Sequence, residues 1–120
     1  MLSYEFYKVM HLTALFMIFS GIGAQILHYY NGGDKNHKGR KLVGIMHGVG
    51  LLLALVAGFG LLARIGTGMQ GWVVVKLVVW IALGGISFIA IRKPKLGPIV
   101  WVIVIALGLV GAVLARYKPF

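Results

Sequence analysis

The chain has 120 residues, 60% of them hydrophobic, and a formal net charge of +10 that sets 12 Lys and Arg against Glu5 and Asp34 alone. A soluble domain of this length could not hide so much apolar surface, so lipid is the expected solvent. The basic residues fall between apolar runs, which argues against nucleic acid and for topology signals and anionic headgroups. With no cysteine, disulfides, thiolate metal sites and cysteine nucleophiles are excluded.

Four apolar runs follow one another: Tyr4–Tyr30, Leu42–Ala63, Trp72–Ile91 and Leu96–Ala115. Each approaches or exceeds the ~20 residues that a spanning helix needs. The first is too long for a signal-peptide core and is read as a retained span. The link from Asn31 to Lys41 is polar, and that from Arg64 to Gly71 is glycine-rich. Arg92-Lys93-Pro94-Lys95 ends the third run, because proline cannot continue the helix. Short links make consecutive helices antiparallel neighbours. The expected fold is all-α: one integral-membrane four-helix antiparallel bundle over residues 1–120.

Lys35, Lys38, Arg40, Lys41, Arg92, Lys93 and Lys95 outnumber Arg64, Arg116 and Lys118 on the opposite side, with Lys8 and Lys76 a turn or more inside. The positive-inside rule then places the first and third loops in the cytoplasm and both termini in the periplasm of a bacterial inner membrane. Tyr4, Tyr7, Tyr29, Tyr30, Trp72, Trp101 and Tyr117 lie near run ends, where aromatic anchoring is expected.

In lipid, small and polar residues should mark the faces that meet. On helix 1 the face through His11 carries Tyr4, Lys8, Ile18 and Gln25. On helix 2 the face through His47 carries Arg40, Gly44, Leu51, Ala54, Gly58 and Leu61. Helix 3 offers Trp72, Lys76, Trp80, Leu83 and Ser87, and helix 4 offers Trp101, Ile105, Gly108, Ala112 and Ala115. His11 is about two turns from its helix start, roughly 10 Å, and Lys76 just over one turn from its own, so the two fall at similar depth. His11 and His28 are separated by roughly 25 Å and cannot share a ligand. Two candidate sites result: an outer one with His11, Lys76, Lys8, Glu5 and Tyr4, and an inner one with His28 and His47.

Intramembrane ionisable groups are costly and usually functional or paired. Lys76 has no polar neighbours in Val73-Val74-Val75 or Leu77-Val78-Val79, so it either snorkels or binds an anion inside the bundle. Histidine ligates haem iron, and bundles hold haem between helices. His11 and His47 are the candidate metal ligands. Gly44, Gly48, Gly50 and Gly58 would make room for a porphyrin, and Lys76, Lys8 or Arg40 would pair its propionates. Copper is an alternative through histidine with Met10, Met17 or Met46. Zinc and a hydrolase triad lack the necessary acids.

Tyr4, Lys8 and His11, with Gly21 ten residues on, resemble the opening of the small CopD-like four-helix membrane proteins, which include HemJ-type protoporphyrinogen oxidases. Gly39-Arg40-Lys41-Leu42-Val43-Gly44-Ile45-Met46 is similar to their second-helix start, and Trp72-Val73-Val74-Val75-Lys76-Leu77 to their third helix. The resemblance implies a functional pair in His11 and Lys76, with haem b or porphyrin as ligand and protoporphyrinogen oxidation as an activity. Gln25, Ile26 and Leu27 stand where that family has an arginine, and His47-Gly48 where it has Thr-Pro. His47-Gly48-Val49-Gly50-Leu51, Gly58-Phe59-Gly60 and the ending Tyr117-Lys118-Pro119-Phe120 look like a group of bacterial membrane proteins of uncharacterised function.

The expected function is haem or porphyrin binding through intramembrane histidine, with a redox or haem-handling role. His11 leads, Lys76 pairs the anionic groups, and His47, His28, Lys8 and Tyr4 complete the candidates. The alternatives are a cofactor-free accessory subunit and a copper-related protein. Expected partners are membrane lipid and either a second copy or a larger membrane complex.

Overall fold

The computed structural model describes residues 3–66 and 68–118. Thr67 in the second link, and Pro119 and Phe120 of the terminal tetrapeptide, lie outside the described residues. The chain forms α1 (Tyr4–Tyr30), α2 (Arg40–Ile65), α3 (Gly71–Arg92) and α4 (Gly97–Tyr117), with a 3-10 turn at Pro94–Leu96. No strand occurs among the described residues. All four helices are long and apolar enough to cross a membrane.

Local signals account for the helix ends. The Ser3 hydroxyl accepts from the Phe6 N–H at 3.1 Å, capping α1, and Glu5 lies in the first turn. Gly66 closes α2 at φ 79°, a left-handed geometry that glycine adopts without a Cβ penalty. α3 stops at Arg92, and Pro94 opens the 3-10 turn that leads into α4. α2 starts at Arg40, two residues before the apolar run, because an apolar run marks the lipid-crossing part and polar turns extend a helix past it.

α1 is the central helix and packs against the other three, while the backbones of α2 and α4 do not approach closely. Ala14, Ile18, Ile22 and Ile26 form its fully buried stripe at i, i+4 spacing. Two glycines bring α1 and α2 together. A Cβ at Gly50 would meet Ile18 Cγ1 at 2.9 Å and the Ala14 carbonyl at 3.1 Å. A Cβ at Gly21 would meet the His47 backbone nitrogen at 3.1 Å. Such close approach is how helices associate when lipid supplies no hydrophobic drive between them.

Several expected faces are corrected. α4 buries Gly97, Val100, Val104 and Leu114. Trp101 and Ile105, expected inside, are 42% and 64% exposed, so the true face is rotated by one residue position, about 100°. Gly44 and Gly48 point outward with nothing within 4 Å of a Cβ, so they give no internal room for a ligand. Trp72 and Tyr29 are buried and are not lipid-facing anchors. The α3 face holds as expected, with Trp72, Leu83 and Ser87 buried and Lys76 and Trp80 half-buried.

Candidate functional site

The antiparallel register sets the depth of every candidate. His11 on α1 faces Ala54 and Gly58 on α2. Trp80 on α3 donates its indole N–H to the Leu51 carbonyl at 2.9 Å. Lys76 stands one turn before Trp80, which on an antiparallel α2 corresponds to Leu55. His11 and Lys76 are therefore level. On α4, Gly108 packs against the Phe19 ring. Arg116 lies eight residues beyond Gly108, and His11 eight residues before Phe19, so Arg116 belongs to the same level.

His11 and Lys76 line one cavity of about 680 Å³ that all four helices enclose at the end bearing the chain termini. Tyr4 and Lys8 line it too, as do Arg116 and Lys118. Its walls are otherwise apolar, with Leu15, Phe19, Leu55, Trp72, Trp80 and Leu107 prominent. Glu5, a candidate for the outer site, is exposed and lies outside the wall.

The His11 ring is held in one orientation. Its Nδ1 lies 3.0 Å from the Ala54 carbonyl oxygen. A carbonyl can only accept, so the neutral ring carries its proton on Nδ1 and its lone pair on Nε2. Nε2 has no partner among the described residues. Gly58 makes this possible: a Cβ there would lie 3.2 Å from His11 Cε1. A metal-ligating histidine usually donates its other ring N–H to a carbonyl or carboxylate in this way, which fixes its tautomer and orientation.

His47 does not line the cavity. Its Nε2–H donates to the Leu83 carbonyl at 3.2 Å, with the Ser87 hydroxyl at 3.4 Å. It ties α2 to α3 as a satisfied polar group.

His28 and His47 are not brought together. His47 is level with Gly21, about 10 Å along α1 from His28. His28 instead donates from Nε2 to the Asp34 carbonyl at 2.9 Å and stacks on His37 with ring centroids 3.7 Å apart. A Cβ at Gly33 would overlap its ring. His28 organises the 31–39 loop, and the inner site expected from similar depth is not assembled. A difference of seven residues in register decided this, and register depends on which glycines meet.

Nothing in the sequence around Arg116 and Lys118 marks them as site residues beyond their place at the end of the last helix. In an even-numbered antiparallel bundle the last helix ends beside the first helix's start, and that placement was the available clue. The Lys118 ammonium donates to the Ala115 carbonyl at 2.6 Å and lies 5.4 Å from the Trp72 ring centroid. Lys8 lies 6.0 Å from the Tyr4 ring centroid. No group of three or more His, Cys, Asp or Glu that could hold a metal ion occurs among the described residues, so a copper or zinc site built from such a cluster has no counterpart. No family model, curated protein or solved structure matches the chain.

Proposed function

We propose that the protein binds haem b or a related porphyrin in the bacterial inner membrane, with His11 as the iron ligand. One observation carries the reading: His11, which lines the cavity, is anchored through Nδ1 to the Ala54 carbonyl, which leaves its Nε2 lone pair without a partner among the described residues. The residues fit such a group. The volume of about 680 Å³ lies within the roughly 300–1,000 Å³ of cofactor sites. Phe19, Trp72 and Trp80 offer apolar and aromatic wall, and Lys76 and Lys8 offer cations for propionates.

When bound, the group supplies one-electron redox chemistry or is itself the cargo, as the resemblance to the CopD-like and HemJ-type proteins implies. The chain's own residues orient and enclose it. Tyr4 lies at the mouth with Lys8. Loops 31–39 and 93–96 face the cytoplasm in this reading, and the cavity opens toward the periplasmic side, as the excess of basic residues in those loops favours.

The test is an absorption spectrum of the detergent-purified protein, oxidised and then dithionite-reduced, before and after hemin addition. A Soret band that is lost in His11→Ala and kept in His47→Ala supports the assignment. No pigment even with added hemin overturns it.

A second reading has its own observation. Gly44 and Gly48 present an outward small-residue groove on α2. A cofactor-free accessory subunit would dock a helix of a second copy or of a larger membrane complex there. A colourless protein that co-purifies with such a complex would favour it.

A further inference from the structure

The cavity wall is electrically one-sided. Lys8 from α1, Lys76 from α3, and Arg116 and Lys118 from α4 all reach it, and no carboxylate side chain among the described residues does. Of the two acids in the chain, Asp34 accepts from the Asn36 N–H in the first loop, and Glu5 is exposed outside the wall. The four cations sit at one end of the cavity. The other end is lined by Ile18, Phe19, Leu83 and Leu107, which carry no charge. Lys76 is half-buried and Lys8, Arg116 and Lys118 are exposed at the rim; like charges gathered there repel one another, and an anion between them relieves that repulsion.

The geometry points to a carboxylate-recognition collar. We propose that Arg116 and Lys118, acting with Lys76, select an amphiphile that carries two carboxylates, hold those carboxylates at the mouth, and leave its apolar body among the inner walls. Arg116, whose guanidinium lies 5.8 Å from the Tyr117 ring centroid, supplies a planar fork suited to bidentate pairing, and Lys118 supplies a point charge on the rim. Lys118 caps α4 at φ 47°, a left-handed backbone, and its ammonium lies 5.4 Å from the Trp72 ring centroid at the cavity edge. This inference shares the cavity of the tetrapyrrole reading and extends it to the ligand's acidic groups. It assigns a role to two residues at the end of α4.

The full-length protein in neutral phosphatidylcholine nanodiscs is titrated with iron-free protoporphyrin and with its dimethyl ester, followed by tryptophan quenching. A second pair, dodecylsuccinate and its diester, tests the same headgroup without a tetrapyrrole. The acid should bind about ten-fold or more tighter than the ester, the effect of about one charge-assisted contact. The Arg116→Gln, Lys118→Gln double variant should lose that preference while ester affinity stays within about two-fold. Arg116→Lys, Lys118→Arg, which keeps both charges, should retain most of it and guards against a mere folding defect.

Equal binding of acid and ester by the unaltered protein, in both pairs, overturns the collar. So does a preference that survives loss of both charges. If dodecylsuccinate is preferred over its diester through Arg116 and Lys118 while neither porphyrin binds, the collar stands and the tetrapyrrole reading falls. If neither pair binds at all, the collar falls as well.

Discussion

The imidazole of His11 and the carbonyl of Ala54 are 3.0 Å apart, and this bond joins the centre of the candidate site to the backbone of a second helix. It defines the tautomer and leaves the lone pair on Nε2, and Gly58 lets the ring lie close to α2, since a Cβ there would be 3.2 Å from Cε1. Most of the site's chemistry follows from it.

His11→Gly should remove the ligand while enlarging the space beside Gly58. Hemin bound by this variant is then expected to lose the spectrum of an imidazole-ligated iron, and millimolar imidazole should restore it. A spectrum indifferent to both the substitution and the added imidazole would place the iron ligand elsewhere.

The α1–α2 interface rests on glycine at two positions. Gly50→Leu and Gly21→Val should each destabilise the bundle by about 1–3 kcal/mol, because added atoms meet backbone and Ile18 rather than a movable side-chain end. Gly44→Val, with open space around it, should stay within about 0.5 kcal/mol. Thermal unfolding in detergent measures all three. If Gly44→Val leaves stability alone but changes the oligomeric state, the accessory-subunit reading gains support.

Trp80→Phe removes the indole N–H that bonds to the Leu51 carbonyl across α2 and α3. The expected cost is about 0.5–1.5 kcal/mol, the net worth of one such hydrogen bond. His47→Phe should cost a similar amount by freeing the Leu83 carbonyl. Neither change should abolish pigment, and loss of pigment in His47→Phe alone would return that histidine to the site.

Topology can be read with single cysteines, since the chain has none of its own. Lys35→Cys lies on the exposed 31–39 loop, and Met69→Cys in the exposed link before α3. An impermeant maleimide applied to spheroplasts should label Met69→Cys at once and Lys35→Cys only after lysis. The reverse pattern would turn the protein over and put the cavity mouth on the cytoplasmic side.

The number, length and order of the helices could be read from the residues alone. Apolar runs of spanning length need no partner to be recognised, and Ser3, Gly66 and Pro94 mark ends through purely local chemistry. The shared depth of His11 and Lys76 was also legible, because helix rise converts residue counts into distance. The face of α3 was legible because Lys76, Trp80 and Ser87 interrupt an otherwise uniform apolar coat.

Only the tertiary structure decided which face of α4 turns inward, which glycines of α2 meet α1, and which histidines meet at all. A helix in lipid is apolar on every side, so hydrophobic periodicity carries no information about its inner face. The choice is made by close packing between particular partners: Gly50 against Ile18, Gly21 against His47, and Gly108 against Phe19. That packing sets a register that leaves His28 with the first loop, ties His47 to Leu83, and brings Arg116 and Lys118 to the mouth shared by His11 and Lys76.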